Sequence, residues 1–226
     1  MIKASIDIGS NTILLLTADG FDQSEVAALG KNLDQSGKFS AQSMQTALEI
    51  LKNYQKKLQS FGISAAETIV TATEASRVAK NAPEFYAQVY FETGFKTTLL
   101  SGEGEAYYAG MGVAQSLSAT HANDVIALDI GGASTELIHM QLRPFSIISS
   151  LSLPVGSVRA VDWEAQNLFP ARLNQILDQH KEKIYPYRCH SIIGIAGTLT
   201  SLMNMHLSLS QYDATKVQNT GISFKE

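Results

Sequence analysis

The sequence predicts an α/β protein built from two duplicated domains with a ligand-binding cleft between them. Residues 5–12 read Ser-Ile-Asp-Ile-Gly-Ser-Asn-Thr, and residues 127–135 read Ala-Leu-Asp-Ile-Gly-Gly-Ala-Ser-Thr. Each copy has an apolar strand pattern, an Asp-Ile-Gly turn, small polar residues and a returning strand pattern. Strand patterns then alternate with helix patterns in both halves, which is typical of α/β domains. A repeat at this period indicates a duplicated domain rather than a solenoid.

The first predicted domain covers residues 1–120 and begins with a β-hairpin. Ser40 is expected to cap a long amphipathic helix that ends before Gly62. Apolar and β-branched runs predict the strands, and helical spacing of apolar residues predicts the helices. The strands are expected at 2–8, 13–17, 24–29, 67–71 and 96–100, and further helices at 73–80, 83–91 and 104–117, the last closing the first half.

The second predicted domain covers residues 121–226, after a polar boundary segment at 118–123. Its first strand, glycine-rich turn and second strand repeat the order of the first domain. The strands are expected at 125–128, 135–140, 144–151 and 191–195, and the helices at 158–164, 171–183 and 199–207.

Composition limits the classes of partner. Of the 226 residues, 45% are apolar and 17% are charged, which is ordinary for a globular protein. The formal net charge is -4 and the basic residues are scattered, so no nucleic-acid partner is expected. No apolar run reaches membrane-spanning length and no leader pattern opens the chain, so a cytoplasmic protein with no membrane partner is expected. The single cysteine, Cys189, excludes an intramolecular disulfide.

The two turns have the residues that a phosphate site needs. Glycines allow a phosphate to approach the backbone closely, and successive N–H groups in such a turn form an anion nest. The glycine-to-helix junction at Gly197 and Thr198 adds a helix N-terminus, which favours an anion. The phosphate-binding candidates in the turns are Gly9, Ser10, Asn11, Thr12, Gly131, Gly132, Ser134 and Thr135.

Carboxylates beside these turns indicate a metal. Asp7 and Asp129 would repel a phosphate unless a cation lay between them, and Mg²⁺ (or Mn²⁺) accepts both carboxylate and phosphate oxygens. Glu136, on the returning strand, can supply a further carboxylate to the same ion. Two structural alternatives stay open: Asp7 could cap its own turn, and Glu136 could be a solvent-facing strand residue.

Several segments together resemble the Ppx/GppA family, the exopolyphosphatases and guanosine pentaphosphate phosphohydrolases of the actin/Hsp70/sugar-kinase (ribonuclease H-like) fold. They occur in the family's order from residue 5 to about residue 217. They are Asp7-Ile-Gly-Ser-Asn-Thr12, Thr71-Ala-Thr-Glu-Ala-Ser-Arg77, Ser101-Gly-Glu-Gly-Glu-Ala106, Asp129-Ile-Gly-Gly-Ala-Ser-Thr-Glu136, Leu153-Pro-Val-Gly-Ser157 and Gly197-Thr198.

The resemblance implies hydrolysis of a terminal phosphoanhydride in polyphosphate or a guanosine alarmone, assisted by Mg²⁺. The family's general base falls on Glu105, and a cationic cleft residue falls on Arg77. Metal-associated carboxylates fall on Asp129 and Glu136. From the residues alone, Glu105 could instead serve only the helix dipole, and Arg77 could be a surface residue. The family also suggests a homodimer.

The sequence departs from the family pattern at three positions. Gly104 replaces a glutamate beside Glu105, Tyr107 replaces a common arginine, and Ala133 replaces the third glycine of the second loop. These departures leave open a non-catalytic alarmone sensor. The shared fold separately leaves open an ATP-dependent kinase or ATPase. The end of the chain resembles a segment well inside the family's second domain, so this domain is expected to be incomplete at its C-terminus.

Overall fold

The computed structural model describes residues 1–117, 122–188 and 192–222. Its strands form two sheets, ordered β3-β2-β1-β4-β5 and β8-β7-β6-β9. The strands of the first sheet are β1 (Ala4–Ile8), β2 (Thr12–Thr17), β3 (Asp22–Val26), β4 (Thr68–Ala72) and β5 (Thr97–Leu99). Those of the second are β6 (Asp124–Ile130), β7 (Thr135–Leu142), β8 (Phe145–Leu153) and β9 (Ile192–Ile195).

The helices follow the strands in the alternating order that the sequence predicts. In the first half they are α1 (Leu33–Ser36), α2 (Ala41–Ser60), α3 (Glu74–Val78), α4 (Ala82–Thr93) and α5 (Gly102–Ser116). In the second half they are α6 (Ser157–Glu164), α7 (Phe169–Ile184), α8 (Ala196–His206) and α9 (Ala214–Val217). We call the first sheet with α1–α4 the first unit, and the second sheet with α6–α9 the second unit. Within the described residues, no helix is long and apolar enough to cross a membrane.

Four strands of the first sheet have a counterpart in the second sheet. In each, a central strand pairs with an antiparallel neighbour from its own hairpin and a parallel neighbour from later in the chain. Asp7 and Asp129 occupy equivalent places, opposite Leu14 on β2 and Glu136 on β7. The duplicated α/β fold is therefore confirmed. No described strand of the second sheet corresponds to β5.

The first core lies between the sheet and the amphipathic α2. Ser40 caps this helix as predicted, accepting a hydrogen bond from the Ser43 amide. Tyr54 is fully buried, and its hydroxyl donates to the Ile13 carbonyl at 2.9 Å. This bond ties α2 to the strand that follows the first loop.

Helix α5 follows the first sheet in sequence but packs on the second. Ala106 and Val113 join the buried cluster of β6 and β7 that includes Ile138 and Met140. A Cβ at Gly110 would lie 2.9 Å from Ile147 Cδ1 and 3.0 Å from Met140 Sδ, so glycine lets the helix approach the sheet without shifting these side chains. The prediction that this helix closes the first half is corrected in this respect. The first turn of α5 contacts Arg77 of the first unit, whereas the rest of the helix packs on the second sheet.

Two predicted boundaries shift for identifiable reasons. The sequence predicts the third strand at 24–29, but the strand spans Asp22–Val26, because its register sets Val26 opposite Thr12 and the chain then turns toward the first loop. Helix α8 begins at Ala196 rather than residue 199, so the glycine and threonine after β9 lie in its first turn. Most of the boundary segment at 118–123, and Cys189, lie outside the described residues.

Candidate active site

The first loop, residues 9–12, is a tight turn whose Ser10 and Asn11 carbonyls accept hydrogen bonds from residues 27–30. The Gly9 amide donates to the Thr12 carbonyl at 2.9 Å. The Ser10 carbonyl accepts from the Gly30 amide at 2.7 Å, and the Asn11 carbonyl accepts from the amides of Ala27 and Ala28, each at 2.9 Å. The segment after β3 therefore holds this loop in one conformation.

The second loop, residues 131–134, repeats the turn and is held by the start of α6. The Gly131 amide donates to the Ser134 carbonyl at 3.0 Å, as Gly9 does to Thr12. The Ser157 amide donates to the Gly131 carbonyl and the Val158 amide to the Gly132 carbonyl, both at 2.9 Å. The first turn of α6 thus satisfies its free N–H groups with the carbonyls of the loop.

These carbonyl bonds set the direction of the loop amides. In a trans peptide the N–H points opposite to the preceding C=O. Because the Gly131 and Gly132 carbonyls face α6, the Gly132 and Ala133 amides point away from that helix. The Asn11 amide likewise points away from Gly30. These three amides donate to no acceptor in the described part of the chain, so they can donate to an anion.

The two loops touch each other. A Cβ at Gly132 would lie 3.1 Å from Ser10 Cβ and 3.3 Å from Asn11 Cβ, closer than most real contacts. The two nests are therefore neighbours at the junction of the units, and glycine at this position permits the approach. A single extended anion can therefore reach the outward amides of both loops.

The side chains of the predicted phosphate-binding residues differ in availability. The Thr135 hydroxyl donates to the Val155 carbonyl at 2.6 Å, so it ties the loop to the segment that follows β8. Its geometry does not support the prediction that this hydroxyl contacts phosphate. Ser10 and Ser134 are buried, and the Ser134 hydroxyl interacts with Glu136. Gly197 and Thr198 follow β9, whose Ile195 pairs with Asp129.

Asp129 and Glu136 are cross-strand partners and share one face of the second sheet. Glu136 is only 5% exposed, which excludes the solvent-facing alternative, and its carboxylate accepts from the Ser152 hydroxyl at 2.9 Å. Burial raises the pKa of Glu136, and hydrogen bonds from Ser134 and Ser152 oppose that rise. Burial, then the charges of Glu105 and Asp7, raise the pKa of Asp129 to about 6.

Asp7 lies on the first sheet and is directed by a different neighbour. Its carboxylate accepts from the Thr71 hydroxyl at 2.9 Å, across the parallel β1–β4 pair. Burial raises the pKa of Asp7, while this hydrogen bond lowers it. No bond from its own turn to this carboxylate is found among the described residues, so the capping alternative receives no support.

Glu105 lies in the first turn of α5, beside both units. Ser101 caps the helix by accepting from the Gly104 amide at 3.1 Å, which starts the helix two residues earlier than predicted. Burial, then the charge of Glu136, raise the pKa of Glu105 to about 7, against the opposing effect of Arg77. Arg77 Nη1 donates to Glu105 Oε2 at 3.0 Å, and the arginine side chain is 21% exposed, so Arg77 is a partly buried member of this network.

The carboxylates fit a magnesium ion that keeps other ligands. Within the described ranges, no three His, Cys, Asp or Glu side chains form a group that could hold a metal by themselves. Mg²⁺ in phosphate-transfer sites commonly takes one or two carboxylates, with waters and substrate phosphates completing the octahedron. Asp129 beside Glu136, with pKa values raised by burial, is a donor set of that kind.

Sequence reasoning missed two residues of this network. Glu74 Oε2 accepts from Arg77 Nη2 at 2.8 Å. Arg159, buried on α6, donates from Nη1 to the Ala133 carbonyl at 2.7 Å and from Nε to Asp34 Oδ1 at 2.9 Å. Glu74 lies inside a segment that resembles the family, but Arg159 stands in an ordinary amphipathic helix with no signal of its own.

Comparison with known proteins decides the family. The sequence model of the Ppx/GppA phosphatase family matches residues 21–219. The chain belongs to the Ppx/GppA phosphatase family. A crystal structure of the Aquifex aeolicus family member superposes with a TM-score of 0.69 at 27% identity, covering 94% of this chain and 72% of that one.

Two curated relatives of this Ppx/GppA chain differ in length. It is 27% identical to the bifunctional 3-dehydroquinate synthase/phosphatase of Fusobacterium nucleatum over 100% of its own length and 37% of the relative's. It is 26% identical to exopolyphosphatase 2 of Mycobacterium tuberculosis, over 95% of this chain and 73% of that protein. The chain therefore spans little more than a third of the first relative and about three quarters of the second.

The structure shows what each departure from the Ppx/GppA pattern does locally. A Cβ at Gly104 would meet Ser101 Oγ at 3.4 Å, an ordinary contact, so a side chain is sterically allowed there. Tyr107 packs edge-to-face on Tyr108 and Phe145. Ala133 is 3% exposed, so its methyl group is buried in the protein.

Proposed function

We propose that the protein hydrolyses the terminal phosphoanhydride of inorganic polyphosphate or guanosine pentaphosphate by activating water with Glu105. The observation that carries this proposal is the position of Glu105, which interacts with Arg77 of one unit and with the charge of Glu136 of the other. A carboxylate with a pKa of about 7 can accept a proton from water near neutral pH. Membership of a phosphatase family supports the same reaction.

The loops supply binding and charge stabilisation in this proposal. The outward amides of Asn11, Gly132 and Ala133 bind phosphate oxygens, and the first turn of α8 at Gly197 and Thr198 adds further N–H groups. Because the carbonyls behind both loops are already bonded, these donors are fixed before the substrate arrives. Little reorganisation is then needed as negative charge moves onto the leaving phosphate.

Asp129, Glu136 and Asp7 are the proposed residues that would hold the magnesium ion. A bound Mg²⁺ would neutralise charge on the phosphate chain and relieve the repulsion between these carboxylates. Glu136 is oriented by Ser152, and Asp7 by Thr71. Arg77 completes the cationic side of the site: its positive charge attracts phosphate, and the guanidinium hydrogens not bonded to Glu74, Glu105 and the Leu100 carbonyl can donate to phosphate oxygens.

Polyphosphate is the substrate we favour, because the Mycobacterium tuberculosis relative is named an exopolyphosphatase. One observation supports the alternative of a non-catalytic alarmone sensor: the aromatic packing of Tyr107 leaves no cation where the family commonly has arginine. An ATP-dependent kinase or ATPase is the second alternative, since the same fold serves those reactions.

The test measures phosphate release from polyphosphate, guanosine pentaphosphate and ATP, each once with Mg²⁺ and once with a chelator in its place. We expect magnesium-dependent release from polyphosphate or pentaphosphate guanosine and little from ATP. Turnover of ATP alone would refute the proposal in favour of the kinase or ATPase. Tight binding of guanosine tetraphosphate, measured by calorimetry, without release from any substrate would refute it in favour of the sensor.

A further inference from the structure

Glu74 lies between two arginines, one from each unit. It is the first residue of α3, and its side chain is 21% exposed. Its Oε2 accepts from Arg77 Nη2 at 2.8 Å, and its Oε1 lies 3.9 Å from Arg159 Nη2. A single carboxylate therefore faces a guanidinium of the first unit and a guanidinium of the second.

Each arginine also contacts a part of the site with its remaining nitrogens. Arg77 Nη1 donates to Glu105 Oε2 at 3.0 Å and to the Leu100 carbonyl at 2.7 Å. Arg159 Nη1 donates to the Ala133 carbonyl of the second loop at 2.7 Å. Glu74 is thus the middle member of a chain of contacts that runs from Glu105 to the backbone of the loop.

We propose that Glu74 is a positioning residue, which aligns Glu105 with a phosphate held by the second loop. A guanidinium is a rigid planar fork, so fixing Nη2 on Glu74 also fixes the direction in which Nη1 meets Glu105. The same carboxylate offsets the charge of Arg159, which is otherwise bonded only to Asp34 and the Ala133 carbonyl within the described residues. This inference rests on the proposed function.

A simple ion pair on the surface of α3 would give a different result. Glu74 and Arg77 are three residues apart, and such helix pairs contribute little to helix stability. That pairing involves one carboxylate oxygen and does not explain why the other faces an arginine of the second unit. A purely local role predicts a small loss of stability and no change in turnover.

The experiment compares Glu74→Gln with wild type and with Glu103→Gln, an exposed acid in the first turn of α5. Gln has the size of Glu but is neutral, so it cannot offset the positive charges of the two guanidinium groups. We expect kcat for phosphate release to fall about tenfold in Glu74→Gln, since small misalignments of a reacting group cost rate, with KM within about twofold. Glu103→Gln should retain the wild-type kcat and KM.

A second variant tests the link to Arg159. Arg159→Lys keeps the charge but loses the planar guanidinium, so we expect a lower kcat. The double variant, Glu74→Gln with Arg159→Lys, should have a kcat no lower than that of the slower single variant. The inference is wrong if Glu74→Gln keeps kcat within about twofold of wild type. It is also wrong if the fold-loss of kcat in the double variant equals the product of the two single-variant losses. An active wild type with an unaffected Glu74→Gln overturns this inference alone, whereas an inactive wild type overturns the proposed function as well.

Discussion

Gly156→Ala is expected to disrupt the second loop through a steric clash. The backbone at Gly156 is extended, with φ −151° and ψ 172°, so alanine can adopt it without conformational strain. The added Cβ would lie 2.5 Å from both the C and O atoms of Gly132 and 2.7 Å from the Ala133 amide nitrogen. These atoms belong to the backbone of the loop and cannot move aside as a flexible side chain can.

The expected loss of stability follows from the loop atoms that the added Cβ must displace. Relieving the clash needs a displacement of about 1 Å, judged from ordinary contact distances of roughly 3.5–4 Å. That displacement weakens the bonds from Ser157 and Val158 to the loop carbonyls, each contributing about 0.5–1.5 kcal/mol. With about 1–3 kcal/mol for overpacking, we expect a loss of about 2–4 kcal/mol in the free energy of unfolding.

Urea denaturation and phosphate-release kinetics measure both consequences. Gly112→Ala is the matched control, because a Cβ at this helical position meets nothing within 4 Å. It should stabilise the protein by about 0.5–1 kcal/mol through helix propensity. Gly156→Ala should also raise KM, because the loop amides are displaced. Wild-type stability and KM in Gly156→Ala would refute the account of how α6 holds the loop.

Three further predictions concern the charged groups of the site. Because the pKa values of Glu105 (about 7) and Asp129 (about 6) are raised, the folded apoprotein binds more protons than the unfolded chain. Its melting temperature should therefore fall as pH rises from about 5 to about 8, and a flat profile in calorimetry contradicts this. Saturating Mg²⁺ should raise the melting temperature more at about pH 8 than at about pH 5, because protons compete with the metal; an equal shift argues against a carboxylate site. Arg77→Lys should lower kcat/KM at least about tenfold, because lysine lacks the fork, and unchanged kinetics would remove Arg77 from the site.

Local chemistry explains why much of the site could be predicted from the sequence. The turns at Gly9 and Gly131 depend on residues a few positions apart, and the structure gives both the same amide-to-carbonyl bond. The cap at Ser40 is equally local and was predicted correctly. The cross-strand pairing of Asp129 with Glu136 follows from the short hairpin, in which the loop length sets the register.

The rest depends on contacts between distant segments. Arg159 bonds Asp34, 125 residues earlier, and no periodicity in either segment indicates that meeting. The packing of α5 on the second sheet is not visible in its apolar spacing, which would suit either sheet. The misplaced third strand has a similar cause, since no residue of β3 is buried and only its register with β2 sets its ends.

The central claim is that Glu105 activates the attacking water, and Glu105→Gln tests it most directly. The substitution keeps the size of the side chain and a hydrogen-bonding oxygen toward Arg77, but removes the base. We expect kcat for phosphate release from polyphosphate or pentaphosphate guanosine to fall about 10²–10⁴-fold, with substrate binding retained in calorimetry. Equal rates in Glu105→Gln and wild type would contradict the account.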